Sequence, residues 1–201
     1  FFGGGAYDFE QQARAGFLVN SDLSGKQGLA SIFSKHPDWF QDSVIPQNCS
    51  GETFYDKDKR WVGTCLSSMG ICYNRDVLQR LGIEKQPASW NDLADPKYIR
   101  QIALSDPNKS GSVAKSFEQL IQQQIALAMV EAKKHPKPFQ TEKDIVDEGL
   151  RRGWDNGLTL ILRISANTRY FTDAAPKIPL EVSQGDAAAG MSIDFYGRSY
   201  E

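Results

Sequence analysis

Ile102-Ala103-Leu104-Ser105-Asp106-Pro107-Asn108-Lys109-Ser110-Gly111-Ser112 is the stretch on which the fold turns. Its three leading apolar residues read as a short buried strand, and the polar run after them as a turn. Val113, Phe117, Leu120, Ile121, Ile125, Leu127 and Met129 then supply the apolar side of a long helix. The Lys133-Lys134-His135-Pro136-Lys137-Pro138 run ends that helix. Strand, polar turn and helix in this order form the repeating unit of an α/β sheet.

The alternation continues on both sides. Upstream, Trp61 to Tyr73 reads as a long extended segment, with Val62, Leu66, Met69, Ile71 and Tyr73 separated by small residues. A short helix from Asp76 to Leu81 closes at Gly82, and Ser89 is placed to cap a helix from Trp90 to Leu93. Downstream, Lys143 to Ile164 holds a further helix or two, Lys177 to Gln184 a short helix, and Ala187 to Ile193 a strand of small residues. Near the start, Phe9, Ala13 and Phe17 share a helical face that ends at Gly16. Val19 to Phe40 reads as loop, and Asp56-Lys57-Asp58-Lys59 as a turn. Together these predict an α/β fold with helices on both faces of a mostly parallel sheet.

With 40% hydrophobic and 24% charged residues in 201, a packed core is expected. The net charge is −2 and no basic stripe appears, which argues against nucleic acid as a partner. No apolar run approaches the roughly 20 residues that cross a bilayer. The chain opens on Phe1-Phe2-Gly3-Gly4-Gly5, which reads as a strand end and tight turn, and stops as abruptly at Glu201. It is therefore expected to be a piece of a longer protein whose signal peptide lies upstream.

In open α/β sheets, ligands gather at the carboxyl ends of the strands. The polar turns predicted there carry the candidate ligand-binding residues: Gly4, Gly5, Ala6 and Tyr7; Ser110, Gly111 and Ser112; Thr172 and Asp173; Asp194 and Tyr196. Ser67, in the extended segment, completes the set. Ser110-Gly111-Ser112 heads the long helix, where free N–H groups and the helix dipole attract anions; the competing reading is an ordinary N-cap. The glycine turn could equally be structural, and Thr172-Asp173 could simply cap the next helix. His36 and His135 lie in hydrophilic contexts and read as surface residues. Trp39, Trp61, Trp90 and Trp154 read as mostly core, with Trp61 also placed to line a cleft.

Three cysteines show no zinc-like spacing. Cys65 and Cys72 could pair in an oxidising compartment, but small buried thiols are the preferred reading. No G-x-S-x-G elbow, P-loop or H-E-x-x-H motif is present, so an enzyme is not expected. The alternatives kept open are a ligand-sensing domain of a regulator and a thiol enzyme using Cys65.

Four segments in order resemble the family 1 extracellular solute-binding proteins, near their ferric-iron-binding branch. They are Trp61-Val62-Gly63 running to Ile71-Cys72-Tyr73-Asn74-Arg75-Asp76; Trp90-Asn91-Asp92-Leu93-Ala94-Asp95-Pro96-Lys97-Tyr98; Ile102 to Pro107 with Ser110-Gly111-Ser112; and Gly185-Asp186-Ala187-Ala188-Ala189-Gly190. The resemblance implies a type 2 periplasmic-binding-protein fold, whose two Rossmann-like lobes close on a ligand by a hinge motion. It implies that residues 1–65 are the tail of the first lobe, 66–193 a nearly complete second lobe, and 194–201 the start of the return crossing. It further implies a monomeric periplasmic receptor that delivers its ligand to the membrane permease of an ABC importer, with no cofactor of its own.

The ligand implied is a small anion, or ferric iron with an accompanying anion. In the iron branch two adjacent tyrosines bind the metal. Here Phe195 occupies the first position, leaving Tyr196 with Asp194 as candidate metal ligands. A phosphorylated or carboxylated organic anion is the competing expectation.

Overall fold

The computed structural model describes residues 6–20, 28–49, 52–65, 67–135, 138 and 140–200. The chain divides after residue 66 into two compact units.

In the first unit, α1 (Ala6–Arg14) buries Ala13 and is followed by Gly16 at φ 74°, the left-handed turn expected of that glycine. α2 (Leu29–Lys35) lies inside the stretch read as loop. Phe33 of α2 stacks on Phe40 at 3.9 Å, and Tyr55 meets both rings edge-on, so aromatic packing holds this short helix rather than its own periodicity. β1 (Asn48–Cys49) and β2 (Glu52–Thr53) pair antiparallel, and Tyr55 bridges Val62. The predicted Asp56–Lys59 turn is present, with Lys59 at φ 56°. Trp61 is buried beside Phe9, ring centroids 5.9 Å apart.

The second unit begins with β3 (Met69–Tyr73), so only the end of the predicted extended segment is regular strand. α3 (Arg75–Arg80) follows, its first turn capped by the Asn74 side chain, and Gly82 at φ 67° closes it. The segment after Ser89 forms two 3-10 turns, Trp90–Ala94 and Pro96–Tyr98. Then come β4 (Ile102–Ser105), α4 (Gly111–Lys134), α5 (Glu142–Ala166), β5 (Thr168–Thr172), α6 (Lys177–Gln184), β6 (Ala189–Ile193), α7 (Asp194–Gly197) and a last 3-10 turn, Arg198–Tyr200. The expected one or two helices before residue 164 are the single helix α5.

These four strands form one sheet in the order β3-β6-β4-β5. β4 runs parallel to both β5 and β6, and β3 closes one edge antiparallel to β6. The sheet is thus mostly parallel. Alternate side chains divide between its two faces. Ile71, Tyr73, Ile102, Leu104, Ala189 and Met191 pack with Leu120 of α4 and Leu160 and Ile164 of α5. Cys72 and Ala103 pack on the other face with Ile178 and Val182 of α6. The close approach of α6 depends on Gly190, where a Cβ would lie 2.5 Å from Ile178 Cγ2 and 2.8 Å from the Ala103 carbonyl oxygen.

α4 and α5 form an antiparallel hairpin with glycines at its seam. Gly149 faces Met129, Gly153 faces Ile125 and Gly157 faces Ile121. α5 starts at a reciprocal cap in which Thr141 N–H and Oγ1 both donate to the Asp144 carboxylate and Asp144 N–H donates to Thr141 Oγ1.

Several residue environments differ from expectation. Trp39 and Trp154 are exposed, not core, because the helical or loop surface they occupy faces outward. His36 is half-buried, stacked on Trp39 at 4.1 Å, whereas His135 is exposed as expected. Cys65 is exposed, so it is not a core thiol. Cys72 is a half-buried free thiol that donates to the Gly190 carbonyl at 3.5 Å, and burial pushes its pKa up to about 11.

Candidate functional site

Because β4, β5 and β6 are parallel, their carboxyl ends share one rim of the sheet, and antiparallel β3 starts at that same rim. Ser105 ends β4 directly opposite Thr172, which ends β5. Their hydroxyls are 2.6 Å apart and buried, and Thr172 Oγ1 also lies 3.1 Å from the Ala174 carbonyl. Asp106 N–H donates to the Thr172 carbonyl at 2.8 Å, which fastens the turn after β4 to the end of β5.

That turn is built by Asp106. Its Oδ1 accepts the backbone N–H and the side-chain amide of Asn108, and its carbonyl accepts the N–H groups of Lys109 and Ser110 at 2.9 Å. The chain arrives at α4 with Ser110 buried and its Oγ accepting from Val113 N–H at 3.4 Å. Gly111 is exposed, and a Cβ there would meet nothing within 4 Å. The 24-residue α4 therefore presents its amino end, with the first N–H groups uncovered by any side chain at Gly111.

Asp173 is exposed and bridges Lys177 at 2.7 Å, and that hydrogen bond holds its carboxyl below the usual range. On the far side of the sheet order, Asp194 N–H donates to the Ser68 carbonyl at 2.9 Å. The Asp194 carboxylate accepts Phe195 N–H at 2.9 Å and lies 3.6 Å from Arg198. Tyr196 is half-buried with its ring edge-on to Phe195, centroids 4.5 Å apart. Ser67 is exposed beside Ser68.

One rim thus carries Ser67, Ser110, Gly111, Ser112, Thr172, Asp173, Asp194 and Tyr196, all within the second unit. Thr172 supports the rim from below instead of facing outward, since it is buried. Ala6 and Tyr7 lie in α1 of the first unit, while Gly4 and Gly5 fall outside the described residues. Two further buried hydroxyls near the strand ends were not among the candidate ligand-binding residues: Ser105, the last residue of β4, and Ser192, the last but one of β6, whose Oγ donates to the Ile193 carbonyl at 3.1 Å. Their position as last polar residue of an apolar strand was the available signal. Among the described residues no group of three or more His, Cys, Asp or Glu is arranged to hold a metal ion, and no helix is long and apolar enough to cross a membrane.

A family model described as bacterial extracellular solute-binding protein matches residues 30–201. The phosphoglycerate transport regulatory protein PgtC of Salmonella typhimurium is 24% identical over 135 residues, 67% of this chain and 27% of that protein. An ABC transporter structure from Clostridium perfringens superposes with a TM-score of 0.53 at 18% identity, covering 95% of this chain and 46% of its own. The spermidine/putrescine ABC transporter substrate-binding protein PotD of Streptococcus pneumoniae gives 0.52 at 17% identity, covering 96% and 47%. The chain therefore spans about a quarter of the curated relative and less than half of each structural one. The fold shared with the two structures is that of the type 2 periplasmic binding proteins.

Proposed function

The chain belongs to the bacterial extracellular solute-binding proteins, and from that premise we propose that it captures a small phosphorylated or carboxylated anion for the permease of an ABC importer. Members of this family are binding proteins, not enzymes. The observation that carries the choice of ligand is the open amino end of α4 at Gly111, seated on the rim where β4, β5 and β6 end. Exposed N–H groups and the dipole of a long helix favour a negative group there. The Salmonella relative's name points to a phosphorylated carboxylic acid. In this reading the second unit is the nearly complete second lobe, the first unit is the tail of the first, and the receptor works in the periplasm.

The anion is preferred to ferric iron on local chemistry. Phe195 offers no ligating atom, and the Asp194 carboxylate is already occupied by a backbone N–H and faced by a guanidinium. A hard cation would need oxygens less committed than these.

Calorimetric titration of the full-length protein with phosphoglycerate tests the reading. Gly111→Val places a branched side chain in open space, so the fold is kept while the N–H groups are covered. Loss of one charge-assisted hydrogen bond, about 1.5–3 kcal/mol, predicts at least a tenfold weaker affinity. An unchanged affinity with an intact circular dichroism spectrum would reduce this turn to a helix cap.

A further inference from the structure

The register of β5 against β4 breaks once. Ile102 faces Thr168, but Leu104 faces Phe171 and Ser105 faces Thr172, so β5 uses three residues where β4 uses two. An unbroken register from Ile102 would set Ser105 against Phe171. The extra residue of β5 instead brings the Thr172 hydroxyl to that of Ser105, 2.6 Å away and buried, and leaves Phe171 exposed. Each hydroxyl has one proton to give. Thr172 Oγ1 donates to the Ala174 carbonyl at 3.1 Å, so Ser105 donates to Thr172. The reverse direction would leave the Ser105 proton without an acceptor among the described residues. The Ala174 carbonyl also accepts the Lys177 N–H at 3.2 Å, where α6 begins. A chain of hydrogen bonds thus runs from the end of β4, through the end of β5, to the start of α6.

We infer that the Ser105–Thr172 hydroxyl pair is a positioning latch for the anion site: it pins β5 in the shifted register and so fixes the turn before α6 against the turn that leads into α4. The inference rests on the anion reading proposed above for the amino end of α4. Both turns hang on these two residues. The Thr172 carbonyl accepts the Asp106 N–H, and the Asp106 carbonyl accepts the N–H groups of Lys109 and Ser110, the last residue before α4. The other neighbour of β4 cannot supply the pin, because β6 pairs with β4 at Ile102 and Ala103 and not beyond. Without the latch, the extra residue of β5 is free to pass to the end of the strand. Thr172 then moves by one residue along β4, about 3.3 Å, which is far outside hydrogen-bond tolerance. Stability does not account for the pair, since replacing two buried hydrogen-bond partners by apolar groups of the same shape is nearly neutral. What the pair adds is register.

The double variant Ser105→Ala/Thr172→Val in the full-length protein is the test, because it removes both hydroxyls at nearly constant shape. It is expected to fold and to melt within about 3 °C of wild type. Its affinity for phosphoglycerate by calorimetry is expected to fall about tenfold or more. The Gly111 and Ser112 amide resonances of the ligand-free protein are expected to move in two-dimensional 1H–15N spectra. Thr172→Ser keeps the hydroxyl, and is expected to hold affinity within about threefold and to leave those resonances in place. A double variant with wild-type affinity and unmoved resonances overturns the inference. So does one that fails to fold, since the pair then serves stability. A Thr172→Ser variant as weak as the double variant also overturns it, because the methyl group and not the hydroxyl would then matter. A wild-type protein that does not bind phosphoglycerate removes the ligand reading alone; the Gly111 and Ser112 resonances then decide the latch, which stands if they move and falls if they do not.

Discussion

Asp56 shows how one side chain can fix a turn. Its carboxylate accepts from Arg60 Nε at 2.7 Å, from Arg60 Nη2 at 2.9 Å, and from the backbone N–H groups of Asp58 and Arg60. The Arg60 hydrogen bond holds its pKa below the ordinary value of 3.8. A depressed pKa adds stability above the unfolded value, and that stability is lost as pH falls through the folded one. We expect the urea midpoint to drop below about pH 4, and Asp56→Asn to cost about 1–3 kcal/mol at pH 7 while flattening that acid limb. A variant that keeps the wild-type acid limb would assign it to other carboxylates. Tyr98 is the opposite case: its hydroxyl is buried with no partner among the described residues, and burial raises its pKa. Tyr98→Phe removes an unsatisfied group, so thermal unfolding should show unchanged stability or a gain of up to about 1 kcal/mol. Residue roles of this kind were legible in the sequence only where they are local. Ser110 could be read as a cap because it bonds its own helix. Asn167 could not, because its amide donates at 2.8 Å to the carbonyls of Leu93 and Asp95, far upstream in the chain.

At the scale of elements, α5 inverts a propensity rule. Gly149, Gly153 and Gly157 would each be expected to weaken a helix by about 1 kcal/mol relative to alanine. They stand at the seam with α4, where a Cβ on Gly153 would lie 2.2 Å from Ile125 Cα. Backbone cannot yield as a flexible side chain can, so the overlap outweighs the propensity gain. Gly153→Ala is expected to lower stability by more than about 2 kcal/mol in urea unfolding; a stabilised variant would mean that the hairpin is looser than its geometry. The helices α1, α3, α4 and α6 were legible because their apolar spacing or end signals are strong. β4 and β6 were legible as small-residue apolar runs. β5 was not, because Thr168–Thr172 is an edge strand whose middle residues Arg169, Tyr170 and Phe171 are all exposed, so no alternation marks it. α2 escaped for a related reason: the aromatic partners of Phe33 come from residues outside the helix. The rim itself was anticipated from fold logic, since parallel strands bring their carboxyl ends together whatever their sequence.

At the scale of the whole molecule, both apolar clusters draw only on residues 71–191 and lie wholly in the second unit. Residues 67–200 expressed alone are therefore expected to fold and to melt in one cooperative thermal transition by calorimetry; a broad, heatless melt would show that this core needs the rest of the chain. The hydrogen bond from Asp194 N–H to the Ser68 carbonyl carries a further consequence. Ser68, at the unit's start, and Asp194, at the end of its sheet, are neighbours, so a short linker joining the ends of the sheet there costs little chain entropy. The unit can be spliced as a cassette into a surface loop of an unrelated host, or circularised and reopened between α4 and α5, without asking its sheet to change register.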